Sequence, residues 1–197
     1  MHPRTHWPVS RASRSKPGCK GNTHAVAWNP REEYQLASGG QDGAIRLWDI
    51  RKARSCIKVL DVNNQDGETS HFGDVRGLAF SSDGLYLVSL GSDKSVRLWD
   101  ALGQQNTYLQ APWTCSSALY RHVRPVITHV NENLNPLIFI PENKSIVGLS
   151  LYTLKLQKKH KGHYGKVACL ALKENKHTLV SGGSDREILS WAPPPVL

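Results

Sequence analysis

Short apolar runs separated by polar turns fill most of this chain, and no stretch carries the 3.6-residue apolar repeat of a helix. Leu78-Ala79-Phe80, then Ser81-Ser82-Asp83-Gly84, then Leu85-Tyr86-Leu87-Val88 reads as strand, tight turn and strand. Leu170-Ala171-Leu172 and His177-Thr178-Leu179-Val180 flank Lys173-Glu174-Asn175-Lys176 in the same way. A further pair is Pro136-Leu137-Ile138-Phe139-Ile140-Pro141 and Ser145-Ile146-Val147-Gly148-Leu149. There Pro125, Pro136 and Pro141 blur the strand ends, because proline brings no N–H to a ladder. The longest apolar run, Leu137 to Ile140, is strand-sized and far short of the ~18 residues that cross a bilayer. The pattern predicts an all-β chain of consecutive hairpins.

The hairpins repeat. Ile45-Arg46-Leu47-Trp48-Asp49 returns as Val96-Arg97-Leu98-Trp99-Asp100 and, worn, as Ile188-Leu189-Ser190-Trp191-Ala192. Each follows a turn of one shape: Ser38-Gly39-Gly40-Gln41-Asp42, Ser89-Leu90-Gly91-Ser92-Asp93 and Ser181-Gly182-Gly183-Ser184-Asp185. The turn Asp always lies six residues before the Trp. Trp48 and Trp99 are 51 residues apart, and Trp99 and Trp191 are 92 apart, or two periods of 46. A period in the forties closing on Trp-Asp predicts four-stranded propeller blades. The fold expectation is a β-propeller of about four four-stranded blades forming a partial ring. The blades are placed at approximately 18–60, 70–110, 115–158 and 162–193, with a short tail at 194–197. The third is degenerate, with Leu149 where a Trp is due.

Charge changes the picture only at the start. The 197 residues carry a net charge of +9, and residues 1–22 hold Arg4, Arg11, Arg14, Lys16 and Lys20 without an acid. Residues 1–17 are expected to be a basic, disordered leader. An organelle transit peptide is disfavoured by Pro3, Pro8 and Pro17, which interrupt an amphipathic helix. A phosphate-binding arm would bring steep salt dependence, but direct nucleic-acid binding is not expected. Cys19, Cys56, Cys115 and Cys169 lie far apart with no Cys-x-x-Cys pair, so neither a zinc site nor a disulfide framework is predicted. A reducing cytosolic or nuclear setting follows.

Two repeats add a histidine at a fixed distance: His71 precedes Asp93 by 22 residues, and His163 precedes Asp185 by 22. Ser89 with His71 and Asp93, and Ser181 with His163 and Asp185, have the composition of a hydrolase triad. The structural reading is a hydrogen-bonded brace inside each blade, in which the Trp indole donates and the serine bridges to the histidine. Repetition favours the brace, since a catalytic set is needed once and a brace once per blade. The expected sets are Ser38, Asp42 and Trp48; His71, Ser89, Asp93 and Trp99; and His163, Ser181, Asp185 and Trp191. The first set has Gly18-Cys19 where its histidine would stand and is expected to be the least well braced. No nucleophile elbow or phosphate loop appears, so no enzyme, metal or cofactor is expected.

Over residues 18–193 these motifs resemble the WD-repeat family. More narrowly, Leu47-Trp48-Asp49-Ile50-Arg51-Lys52-Ala53, Gly91-Ser92-Asp93-Lys94-Ser95-Val96-Arg97-Leu98-Trp99 and Lys161-Gly162-His163-Tyr164 are similar to the C-terminal half of its ligase-receptor branch. Such receptors are seven-bladed, non-catalytic substrate receptors of cullin-4 RING ubiquitin ligases that serve transcription-coupled nucleotide excision repair in the nucleus. The resemblance implies the damaged-DNA-binding adaptor protein as partner, with RNA polymerase II and the Cockayne syndrome group B ATPase as further ones. Trp48, Asp49 and Arg51 match a Trp-Asp-x-Arg pattern that adaptor-bound receptors place on one propeller face. Arg51 is then the fork that meets the adaptor, or else an exposed arginine after a structural Trp-Asp. Leu102 holds that place in the second unit and cannot act so, and Lys52 and Arg54 are read as solvated charge. The alternative function is a generic WD-repeat interaction scaffold. Four blades are fewer than the family's seven, and residues 1–17 resemble nothing in it, so the chain reads as a partial or alternatively started product. Such a product is expected to be marginally stable and to self-associate through strand edges.

Overall fold

The structure is a computed structural model that describes residues 21–52, 56–60, 70–101, 108–111, 123–129, 135–173 and 178–192. Among these residues every regular element is a strand. The strands form four antiparallel meanders in chain order. The first sheet holds β1 (Thr23–Trp28), β2 (Gln35–Gly40), β3 (Ile45–Asp49) and β4 (Cys56–Leu60). The second holds β5 (Val75–Phe80), β6 (Tyr86–Gly91), β7 (Val96–Asp100) and β8 (Tyr108–Gln110). The third holds β9 (Val126–Ile127), β10 (Leu137–Glu142), β11 (Ser145–Ser150) and β12 (Leu156–Lys161). The fourth holds β13 (Val167–Lys173), β14 (Thr178–Gly183) and β15 (Ile188–Trp191). Among the described residues the fourth sheet has three strands where four were expected, and the third sheet runs to Lys161, three residues past the expected 158.

The repeated turn aspartate explains the repeated hairpin. Asp42, Asp93 and Asp185 each accept the backbone N–H two residues on, from Ala44, Ser95 and Glu187, at 3.3, 3.1 and 3.3 Å. A side chain that caps its own turn in this way fixes the chain reversal. The next residue takes φ of 70° at Gly43, 65° at Lys94 and 68° at Arg186. A β-bulge interrupts the first strand of the first, second and fourth sheets at matching places, after Thr23, Val75 and Val167.

Three apolar clusters join the sheets in order. Ala37, Ile45 and Leu47 of the first sheet pack on Leu78, Leu87 and Trp99 of the second. Val88, Leu90 and Leu98 on the second sheet's other face meet Ile138, Ile140 and Leu149 of the third. Phe139 and Ile146 on the third sheet's other face meet Leu179 and Val167, with Leu172 and Trp191, of the fourth. The second and fourth sheets thus turn their Trp-bearing faces, and the third its Leu149 face, toward the sheet before. Leu149 pairs with Ile138 as Trp48 pairs with Leu36, Trp99 with Leu87 and Trp191 with Leu179. It is fully buried in the tryptophan's place. Ile140 stands where the other sheets carry the serine, so apolar contact replaces a hydrogen-bonded set there.

Candidate functional site

In the second sheet the structure brings Ser89, His71, Asp93 and Trp99 together. Trp99 Nε1–H donates to Ser89 Oγ at 2.8 Å, and Ser89 Oγ lies 2.7 Å from His71 Nε2. His71 Nδ1 sits 3.1 Å from Asp93 Oδ1 and 2.9 Å from Ser95 Oγ, a partner that sequence spacing did not single out. With Nδ1–H facing the carboxylate, Nε2 accepts the serine proton, which requires the neutral ring. Burial lowers the His71 pKa, and the Asp93 hydrogen bond only partly offsets it. Burial alone would raise Asp93, but bonding to His71 and Ser95 outweighs it and holds the carboxyl well below its usual range. The fourth sheet repeats the geometry: Trp191 Nε1 to Ser181 Oγ 2.9 Å, Ser181 Oγ to His163 Nε2 2.8 Å, and His163 Nδ1 to Asp185 Oδ2 2.8 Å. Asp185 is lowered to about 2, burial opposing and His163 with the Gly165 and Glu187 N–H groups prevailing.

The connectivity is that of a hydrolase triad, and chemistry separates the two. Ser89 is 0 % exposed and its oxygen already receives an indole N–H, so no carbonyl reaches it. In the first sheet Trp48 Nε1–H donates to Ser38 Oγ at 2.7 Å, and Asp42 Oδ2 lies 2.8 Å from Arg46 Nη1. Gly18 and Cys19, expected at the missing histidine's place, lie outside the described residues.

The Trp-Asp-x-Arg stretch is built differently. Asp49 Oδ1 accepts Arg51 N–H at 3.0 Å and Arg51 Nε–H at 3.1 Å, while Oδ2 accepts Nη2–H at 3.0 Å. The guanidinium lies 4.3 Å from the centre of the Tyr34 ring, in cation–π range. Arg51 therefore does not sweep through solvent. Its side-on edge is taken by Asp49 and one face by Tyr34, which leaves the end-on edge for a partner. The Arg51 hydrogen bond is the main reason the Asp49 pKa falls to about 2, and the same bond raises Arg51. Glu32, Gln35, Ile57 and Ala101 complete a notch of about 170 Å³ beside this group. Lys52 Nζ stands 3.7 Å from Asp49 Oδ2 with its side chain largely exposed. Leu102 and Arg54 lie outside the described residues.

Sequence reasoning missed Tyr34. Its signal was the hairpin closure, since Ile50 N–H donates to Tyr34 C=O at 3.0 Å and so sets Tyr34 beside Arg51. It also gave no role to Ser70, which stands where the other histidine has Gly162. The Ser70 hydroxyl accepts Ile45 N–H at 2.8 Å and donates to Leu60 C=O, tying β3 and β4 to the segment that enters the second sheet. A larger cleft of about 470 Å³ opens where the innermost strands converge, lined by Trp28, Phe80, Arg124, His129 and Leu172. Among the described residues no group of three or more His, Cys, Asp and Glu is placed to hold a metal, and no helix is long and apolar enough to cross a membrane. Cys169 is a free thiol.

The profile of the family described as "WD domain, G-beta repeat" matches residues 13–49, 55–100 and 154–191. It passes over most of the third unit, where Ile140 and Leu149 replace the motif residues. The chain is 24% identical to "WD repeat-containing protein ATCSA-1" of Arabidopsis thaliana over 252 aligned positions, covering 92% of this chain and 55% of that protein. It is 36% identical over 91 residues to "Transducin beta-like protein 3" of Bos taurus, covering 46% of this chain and 10% of that one. The chain thus spans only about half of the plant relative and less of the bovine one. Among solved structures, the computationally designed Ika4 protein aligns with a TM-score of 0.65 and 24% identity, covering 90% of this chain and 95% of that one. The designed Ika8 protein aligns with the same TM-score at 23% identity over 90% of this chain, but over 48% of that chain.

Proposed function

The chain belongs to the WD-repeat family, and from that membership we propose that it is a non-catalytic part of a substrate receptor of a cullin-4 RING ubiquitin ligase. The receptor is of the Cockayne syndrome group A kind and acts in transcription-coupled nucleotide excision repair in the nucleus. The observation that carries this reading is Arg51, clamped by Asp49 and seated on Tyr34 so that a planar fork is offered to a partner. Such a fork matches a carboxylate or a pair of backbone carbonyls, and fixing it beforehand removes the cost of ordering a long side chain on docking. The relative matched over 92% of the chain is a WD repeat-containing protein, which supports the family and leaves the ligase role to Arg51. Its direct partner is the damaged-DNA-binding adaptor, with RNA polymerase II and the Cockayne syndrome group B ATPase reached within the assembly.

The test is capture of the purified adaptor by this chain beside its Arg51→Ala variant. Capture is expected to fall roughly ten-fold or more in the variant, as for loss of an interface arginine, with the circular dichroism spectrum unchanged. No capture by the folded wild type leaves the second reading, a general WD-repeat interaction scaffold. That reading is favoured by local likeness, since transducin beta-like protein 3 is 36% identical over 91 residues.

A further inference from the structure

Every junction between sheets has one construction: the face that bears the Trp, or Leu149 in the third sheet, packs on the opposite face of the sheet before it. Two half-junctions are left over. On the first sheet the Trp48 face carries Val26 and Trp28, which are 59% and 54% exposed. On the fourth sheet the opposite face carries Ala171, Val180 and Ile188, the last 79% exposed, with the exposed Cys169 beside them. Trp28 and Ala171 both line the central cleft, but among the described residues no apolar cluster joins the two faces within one chain. They are unlike each other, and each is the kind of face that the other lacks.

We infer that two copies of this chain associate head to tail, the first sheet of each seating its Trp28 face on the Ile188 face of the other's fourth sheet. Two such contacts related by a two-fold axis close a ring of eight sheets, in which every face is covered by the same construction. Two observations name a second copy as the occupant. The complementarity is that of the three junctions already inside the chain, so the contact needs no new packing scheme. The fold also aligns over 95% of one solved chain and over 48% of another, so a four-sheet arc of this shape fills half of a longer chain. Contact through sheet faces also differs from the strand-edge association expected from sequence. Edges pair backbone N–H and C=O, whereas these faces would bury apolar side chains, with Ser190 on the fourth sheet at the place that Leu98 holds on the second. The inference does not rest on the ligase reading, since adaptor capture and self-association are measured separately.

Size-exclusion chromatography with light scattering on the full chain tests it. The expected mass is twice the 21.9 kDa of one chain. Trp28→Glu and Ile188→Lys, both at exposed positions, should each weaken the dimer roughly thirty-fold or more, as loss of a central interface anchor does. Circular dichroism should show both variants folded. Equal amounts of the two variants, mixed, should dimerise again. One of their two junctions is wild type on both sides, and the other sets the new glutamate against the new lysine. A monomeric wild type overturns the inference, whatever covers Trp28. So does an Ile188→Lys variant that stays dimeric, which would mean that first sheets pair with each other. A series of growing masses overturns ring closure.

Discussion

Ser89 Oγ accepts the Trp99 indole N–H and donates to His71 Nε2, so one oxygen satisfies two groups sealed from water. Ser89→Ala orphans both, at about 1–3 kcal/mol for each buried polar group left unpaired. Ser38→Ala should cost less, because Trp48 is only half-buried and water can replace the lost acceptor. Urea unfolding of the two variants checks the order. His71 sets a pH dependence whose sign follows from its lowered pKa. As pH falls through the ordinary value of 6.5, the unfolded chain takes up a proton that the folded chain refuses, so stability declines. Half-buried His160, lowered by desolvation and by Lys158, acts in the same direction. Asp93, also lowered, contributes stability that is present above the unfolded carboxylate value and is lost only in stronger acid. The urea midpoint should therefore drop between pH 7.5 and 5.5, with a shallower slope in His71→Gln. The Arg51–Asp49 clamp will not follow that curve, since Asp49 stays ionised down to a pH of about 2. Adaptor capture, where it occurs, should be flat over the same range.

Hairpins are the next scale up, and the first differs from the others at one atom. Gly43, Lys94 and Arg186 share the left-handed turn position. Only at Gly43 would a Cβ run into the His71 carbonyl oxygen, because the chain entering the second sheet crosses over that turn. Ser70 N–H and His71 N–H both donate to Gly43 C=O, at 3.0 and 2.9 Å. Gly43→Ala should cost about 1–2 kcal/mol for the left-handed backbone, plus the collision. Lys94→Gly, which only relieves strain, should be near neutral or stabilising by comparison in the same unfolding assay. This scale was the most legible in sequence, because Ser, Asp and Trp recur at fixed spacing wherever one side chain caps a turn and another closes a strand. Legibility ended where a contact joins segments without a repeated partner. Tyr34 under Arg51 and Ser70 between β3 and β4 each occur once, and no second copy draws attention to them. The third hairpin was found only by its apolar runs, since Ile140 and Leu149 have erased the motif that would have placed it.

As a whole the molecule is a stack in which each sheet touches its neighbours in order, so stability is shared through the junctions. Leu90 is fully buried in the middle junction, and Leu90→Ala should cost about 2–5 kcal/mol. That loss should loosen the coupling between the first two sheets and the last two. Hydrogen exchange by mass spectrometry would then show the two halves opening separately, where the wild type opens as one. The count of repeats gave the number of sheets, but only the packing revealed that the two end faces are of opposite kinds. The sheets also differ in what holds them internally. The second and fourth rely on indole, hydroxyl, imidazole and carboxylate groups bonded in series, whereas Ile140 and Leu149 hold the third by apolar burial. Apolar burial weakens on cooling while hydrogen bonds do not weaken in the same way. The third sheet is therefore where this protein should first loosen in the cold, even at a pH where its histidine-braced neighbours are at their firmest.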